Sequence, residues 1–455
     1  MRNARSDETI ASVALDDLIA RTFIDFTQTQ EFLKQPLVVA RADRVSYWDT
    51  RGRELLDGLS GIYTVSLGHN HPRLRQAIVD QLDKVALAPP MHGVAETTLK
   101  LVAKLSAIAP PGLDFVKPFS GGSEANEASL KFVRQYHRLT GNPGKYKTLS
   151  FYGGYHGATA GAMAASGTGN RKTQFEPQMA GFLKVQPPVF YQRGTGCSEA
   201  ESSALALHAI QGAIEGEDPE TVGAMIVEPI IHLQGIAVPP PGFLAGLRRL
   251  CDDFNILLIF DEIITGMGRT GRMFAAQTFD VIPDIISCGK GLSAGVVPLS
   301  AMVTKSDLAA VFLGTEADNR HFNHGHTFAS HALAAAVGVA VIDTFAADDV
   351  LGNVQRQGAY VQTRLQELQH ELPISNIRGA GLLWGFDFVR EPGSSEIAAE
   401  LGSLVKTAAI EQGLIMRVMP TWGALAPALV SSAQELDRIL DRFQAAVGAA
   451  WDRLP

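Results

Sequence analysis

One lysine stands out for the company it keeps. In DIISCGKGLSAG, residues 284–295, Lys290 ends an apolar run, with Gly289 before it and Gly291 after it. A lysine gains a near-neutral role only when burial or a nearby cation depresses its pKa. Deprotonated, it forms a Schiff base with an aldehyde. Flanking glycines would let a bulky planar partner approach the backbone. Taken alone, the plainer reading is a strand-end lysine in a turn whose glycines supply positive φ.

Asp261 shifts that balance. It follows five apolar residues in ILLIFDE, where an unpaired charge would be costly. Pyridoxal phosphate requires an acid beside its ring nitrogen, because the protonated ring draws electrons from the substrate α-carbon. An ordinary ion pair with an arginine is the competing reading. A third part is FSGGSEANEASLKFVRQYH, residues 119–137, a glycine-rich turn at Gly121 and Gly122 leading into a helix. Free N–H groups and the positive dipole end suit a phosphate there; a plain cap by Ser123 is equally compatible. In YGGYHG, residues 152–157, glycines around Tyr155 could present its ring as a stacking face, or simply make a turn.

Elements must carry these groups to one place. GAMIVEP is a short apolar strand ending in Glu228, PPGFLAGLRRLCDDFN is a helix begun by proline, and ILLIFDE is a second buried strand. Together they form a βαβ unit in a parallel sheet, and DIISCGK supplies a further strand. Ligands in such sheets sit beyond the carboxyl ends of the strands, where Glu228, Asp261 and Lys290 all fall. Beyond residue 330, ALAAAVGVAVIDTF reads as a small-residue helix, with GAGLLWGFDFV and GLIMRV as strands. The stretch 186–203 reads as an excursion loop with no regular element.

Composition bounds the rest. The chain has 455 residues, 46% hydrophobic and 19% charged, with a net charge of -8. That supports a full core and disfavours nucleic-acid binding. Three widely spaced cysteines, Cys197, Cys251 and Cys288, fit a reducing compartment rather than a disulfide framework or zinc site. The N-terminus lacks an apolar signal region, its first dozen residues read as mobile, and no stretch suits a membrane span. A soluble, cytoplasmic protein is expected.

SGGSEANEASLK, GGYHGATAGA, VEPI, LLIFDEIITGMGRTG, CGKGLSAG and GHTFASHALAAAVG, in that order, resemble the class III aminotransferases, or ω-transaminases. The resemblance runs from about residue 35 to 450. It implies an α/β, fold type I enzyme dependent on pyridoxal 5′-phosphate. A large domain (76–330) would hold a mostly parallel sheet, and a small α/β domain would draw on both chain ends (1–75 and 331–455). Lys290 matches the Schiff-base lysine and Asp261 the ring-nitrogen partner. Tyr155 and Ile263 match the residues on opposite ring faces, with His156 and Glu228 also near the cofactor. Gly122 and Ser123 match the phosphate turn, and Thr327 a threonine reaching the neighbouring subunit's phosphate. A homodimer with shared sites follows, with a tetramer also compatible. On the substrate side, Tyr63 matches a pocket wall and Arg417 an arginine that pairs with a carboxylate. Trp422 fits either pocket or core. The implied reaction moves an amino group from an amine to a keto acid such as pyruvate.

The chain departs from the family pattern at GGS, at PLSA, and at IIHLQG after Glu228-Pro229; the last would reshape the pocket. A lyase or aminomutase of the same fold would use the same cofactor set. GMGRTG, residues 266–271, is a literal GxGxxG, but its context does not suit a nicotinamide dehydrogenase. His321, His324, His326 and His331 cluster without a nearby cysteine or acid, so no metal site is expected.

Overall fold

The protein is described by a computed structural model over residues 15–454; the N-terminal stretch expected to be mobile lies outside them. An antiparallel trio opens the chain: β1 (Val39–Asp43), β2 (Ser46–Asp49) and β3 (Glu54–Asp57). The central sheet follows. Its strands are β4 (Leu113–Phe119), β5 (Lys147–Phe151), β6 (Phe182–Val185), β7 (Val222–Val227), β8 (Leu257–Glu262), β9 (Ile285–Cys288) and β10 (Ser300–Lys305). They lie in the order β4-β10-β9-β8-β7-β5-β6. β5 to β9 pair in parallel, and β10 runs antiparallel to both its neighbours, so the sheet is mostly parallel as expected.

Strands β7, β8 and β9 are buried along their whole length because helices cover both faces of the sheet. Successive side chains point to opposite faces. On one face Ala224, Ile226, Leu257, Ile259 and Ile285 pack with Ala125, Ala128, Phe132 and Val133 of the helix Gly122–Leu139. On the other, Met225, Val227, Leu258, Phe260 and Ile286 pack with Leu244 and Leu247 of the helix Phe243–Asp253 and with Val337 and Val341. Each fully buried Val, Leu, Ile, Phe or Met among them contributes about 1.5–3 kcal/mol.

The C-terminal part holds β11 (Ile374–Ala380), β12 (Leu383–Phe388), β13 (Leu414–Ile415), β14 (Arg417–Val418) and β15 (Trp422–Leu425). The order β11-β12-β15-β14 makes a third sheet. GLIMRV is therefore not one strand. It divides at Met416: β13 joins β3 in parallel, with Leu414 opposite Leu56, and β14 pairs with β15. The division lets one short segment serve two sheets and brings both chain ends into one of them.

The stretch 186–203 also corrects its expectation, since it is a helix followed by the start of another. Pro187 and Pro188 open the helix Pro188–Thr195, and Gly196, at φ 67°, closes it. Ser198 then caps the helix Glu199–Gly216 in a box with Glu201. The prolines and glycines that read as loop punctuation are helix start and stop signals. The small-residue helix is present as Ala332–Ala347.

Candidate active site

The alternation along β8 decides where its two acids go. Asp261 continues the face of Ile259, towards the helix Gly122–Leu139, and Glu262 takes the opposite face. Asp261 is buried and fully engaged. Its Oδ2 accepts from Asn126 Nδ2 at 2.8 Å and lies 2.8 Å from His156 Nδ1, while Oδ1 accepts from the Ile263 N–H at 3.1 Å. A carboxylate can only accept, so His156 donates from Nδ1. Glu262 instead accepts the N–H groups of Ala275 and Ala276 and the Thr265 hydroxyl. Burial nonetheless pushes its carboxyl up to about 7.

Lys290 follows the next strand at φ 44°, a left-handed conformation. Burial holds its amine below the ordinary lysine value, and the charges of Asp261 and Glu228 only partly oppose this. Its Nζ has no hydrogen-bond or ion-pair partner among the described residues. The glycines beside it also relieve contacts within the chain. A Cβ at Gly289 would lie 3.1 Å from Ile263 Cδ1, and one at Gly291 would lie 3.0 Å from Met267 Cβ. They make room for the chain's own side chains.

Ile263 is also wedged against the glycine turn, since a Cβ at Gly122 would lie 3.0 Å from its Cδ1. The turn enters the helix Gly122–Leu139 through Gly121 as N-cap, so Ser123 sits in the first turn and is not the cap. Glu124 takes the N–H groups of Ser120 and Gly121, and the Ser123 hydroxyl accepts from the Ala158 N–H at 3.1 Å. Gly157 is required here, because a Cβ would approach Ser123 Oγ to 2.5 Å. The YHG segment is thus locked to the glycine turn.

The Tyr155 N–H donates to Glu228 Oε1 at 2.9 Å, and Glu228 Oε2 lies 2.5 Å from Nδ1 of His232. Burial pushes the Glu228 carboxyl up, but His232, His156 and the Tyr155 N–H together hold it below the usual range. The His232 ring stands edge-on to both Tyr155 and Tyr63, 6.0 Å from each. Tyr63 is buried, its hydroxyl lacks a hydrogen-bond partner, and burial pushes that hydroxyl up to about 12. Arg417 Nε is likewise buried without a partner. Arg171 stands 5.0 Å from the Tyr155 ring centroid and 4.3 Å from that of Phe26. Burial and the charge of Arg417 hold its guanidinium below the ordinary value. Trp422 is buried in the same apolar cluster as Tyr63, with Leu59, Ile230, Ile236 and Leu383. Thr327 lies apart from these groups, exposed on the loop before the helix Ala332–Ala347.

The sequence reading had not singled out Asn126, His232 or Arg171. Asn126 lies three residues after Ser123, one turn along the same helix. His232 sits inside the departing IIHLQG segment, which was the one available signal. Residues 266–271 form turns, and their Arg269 is buried, donating to Leu382 O, Pro427 O and Ser60 Oγ. The glycines there serve packing and do not open a helix. Among the described residues no cluster of three or more potential ligands could hold a metal, and no helix is long and apolar enough to cross a membrane.

The residues present suit a pyridoxal phosphate. A half-buried, unpartnered amine lies near a buried carboxylate, a helix start opens beside them, and His156 Nε2, Tyr63 Oη and Arg417 Nε are buried without partners among the described residues.

Comparison with known proteins gives a consistent result. The family model described as aminotransferase class-III matches residues 27–447. A probable aminotransferase of Mycobacterium tuberculosis is 34% identical over 438 residues, covering 94% of this chain and 93% of that protein. The crystal structure of an (S)-enantioselective omega-transaminase from Thermomicrobium roseum superposes with a TM-score of 0.91 at 32% identity, covering 99% of each chain. The omega transaminase of Pseudomonas jessenii in complex with PMP gives 0.91 at 27% identity, covering 97% of this chain and 99% of that one. Lyase, aminomutase and dehydrogenase readings are not favoured by these relatives.

Proposed function

The chain belongs to the class III aminotransferase family and transfers amino groups with pyridoxal 5′-phosphate; on that premise we propose how its own residues divide the work. The observation that carries the proposal is Lys290, half-buried and without a partner within the field of Asp261 and Glu228. When bound, the cofactor supplies an aldehyde for an amine and an electron sink for the carbanion at the substrate α-carbon.

Lys290 Nζ is the covalent anchor and the base that takes the donor's α-proton, a role that burial favours by disfavouring its charged form. Asp261, oriented by His156, Asn126 and the Ile263 N–H, pairs with the ring nitrogen. Tyr155 and Ile263 take the two ring faces. Gly122 and Ser123 hold the phosphate at the helix start, where the dipole favours an anion. Tyr63 walls the substrate pocket, and Arg417 binds the carboxylate of a keto acid such as pyruvate.

The exposed Thr327 reaches the phosphate of a second copy, making a homodimer with shared sites. The division at residues 75 and 330 separates a large cofactor domain from a small one; pairing of β3 with β13 supports drawing the latter from both ends. The free cysteines fit a cytoplasmic enzyme. Borohydride reduction of the cofactor-loaded protein, followed by peptide mapping, tests the central assignment. The cofactor mass is expected on Lys290, and its appearance on another lysine would overturn it. Lys290→Ala should fold and show no turnover.

A further inference from the structure

The stacking residue of the proposed site stands on a flexible stem. Tyr155 follows Gly153 and Gly154, and Gly153 sits at φ 77°. Two glycines give the backbone a freedom that a fixed ring face cannot use. The groups that remove it lie in IIHLQG, the segment that departs from the family pattern.

Residues 231–237 form a closed and strained turn. Ile231 and Ala237 exchange two backbone hydrogen bonds, each of 3.0 Å. Between them Gly235 sits at φ 76° and Ile236 at φ 59°. A β-branched residue in the left-handed region persists only where its surroundings over-determine it. Here the third sheet supplies them. Arg378 of β11 donates from Nε to Gly235 O at 2.6 Å and from Nη2 to Asp387 of β12 at 2.7 Å. Gly385 of β12 lets the turn come close, since a Cβ there would lie 2.6 Å from Gly235 O and 2.9 Å from Ile236 Cβ. Arg193, on the helix Pro188–Thr195, donates to Gln234 O at 3.0 Å.

The anchored turn brings two side chains to the tyrosine loop. His232 is buried, and its Nδ1 donates to Glu228 Oε2 at 2.5 Å, while Glu228 Oε1 accepts the Tyr155 N–H at 2.9 Å. The His232 ring also stands edge-on to the Tyr155 ring, with centroids 6.0 Å apart. His232 thus meets the tyrosine twice, through its ring and through its backbone. Gln234 fills the space beside Gly153, where a Cβ would overlap its Nε2.

We propose that His232 and Gln234 are positioning residues: from a turn anchored in the third sheet, they fix Tyr155 as the stacking face for the cofactor ring. This rests on the reading of Tyr155 as the residue on one ring face, and adds the groups that hold it there. It also gives the IIHLQG segment a role and ties the cofactor site to the C-terminal sheet.

The test uses the cofactor-loaded enzyme, with two readouts: the cofactor's dissociation constant and the circular dichroism of its visible band at saturation. Tyr155→Leu sets the scale. Parent values in that variant would overturn the stacking assignment itself, and the brace with it. If Tyr155→Leu changes both readouts, His232→Leu should move the band towards the Tyr155→Leu spectrum. It should also raise the dissociation constant about tenfold, the loss expected of one charge-assisted hydrogen bond. His232→Asn keeps a donor for Glu228 Oε2 and should stay within about threefold of the parent. In the Tyr155→Leu background, His232→Leu should add less than about threefold, because the ring it positions is gone. A parent-like band in His232→Leu, equal losses in the leucine and asparagine variants, or a full tenfold loss in the Tyr155→Leu background would each overturn the brace alone. Should His232→Leu fail to fold, Gln234→Ala decides, since it opens the space beside Gly153 and leaves the Glu228–His232 pair intact. Its band should shift in the same direction, and a parent-like band would overturn the proposal.

Discussion

Asn126→Leu removes a single buried amide that bridges two acceptors, and its cost can be worked out. Nδ2 donates to the Asp261 carboxylate at 2.8 Å and to the His156 carbonyl at 2.7 Å. A bond to a charged group contributes about 2 kcal/mol and one to a neutral carbonyl about 1 kcal/mol. Against this, Oδ1 of Asn126 is buried without a partner, and its removal relieves about 1 kcal/mol. Leucine has nearly the same shape, so cavity terms are small. The net expectation is a loss of about 2 kcal/mol in urea unfolding. Catalysis should suffer more than stability. Asp261 would keep His156 and the Ile263 N–H but lose one of its two side-chain anchors. Misplacing a group by a fraction of an ångström costs about 10- to 100-fold in kcat. The assay is single-turnover reaction with an amine beside denaturant unfolding of the same preparation. A leucine variant with the parent's kcat would refute the claim that Asn126 positions Asp261.

Asp261→Asn removes one of the two anions that raise the Lys290 pKa, so that pKa should fall further below its ordinary value. Because the base must be neutral, the rate falls as pH drops through that pKa, and the acid limb of the single-turnover profile should move to lower pH, with an unmoved limb contradicting the coupling. Arg417→Ala should raise the KM for pyruvate far more than that for an uncharged amine, measured by steady-state kinetics; equal losses would make Arg417 structural. Tyr63→Phe removes a buried hydroxyl without a partner, so urea unfolding should show no loss and a gain of up to about 1 kcal/mol. A clear loss of stability there would mean that the hydroxyl has an internal acceptor.

Much of this site was legible in the sequence because strand ends announce themselves. ILLIFDE and DIISCGK place Asp261 and Lys290 by period and length alone, and the structure finds both at the carboxyl end of the parallel sheet. What stayed hidden are contacts between segments distant in the chain. The 2.8 Å bond from Asn126 to Asp261 spans 135 positions, and no local pattern marks it. The glycines around Lys290 were visible, but their close neighbours Ile263 and Met267 were not. GLIMRV looked like one strand because hydropathy cannot register that Met416 separates two pairing partners. The stretch 186–203 failed for a different reason: proline and glycine serve loops and helix ends alike, and only the following capping box distinguishes them.

The most direct measurement is the absorption spectrum of the cofactor-loaded enzyme as an amine and then pyruvate are added. A yellow band that bleaches with the amine and returns with pyruvate is the expected result, because Lys290 must release and recover the cofactor as the amino group passes. Bleaching that no keto acid reverses, or a protein that never takes up the cofactor's colour, would contradict the account.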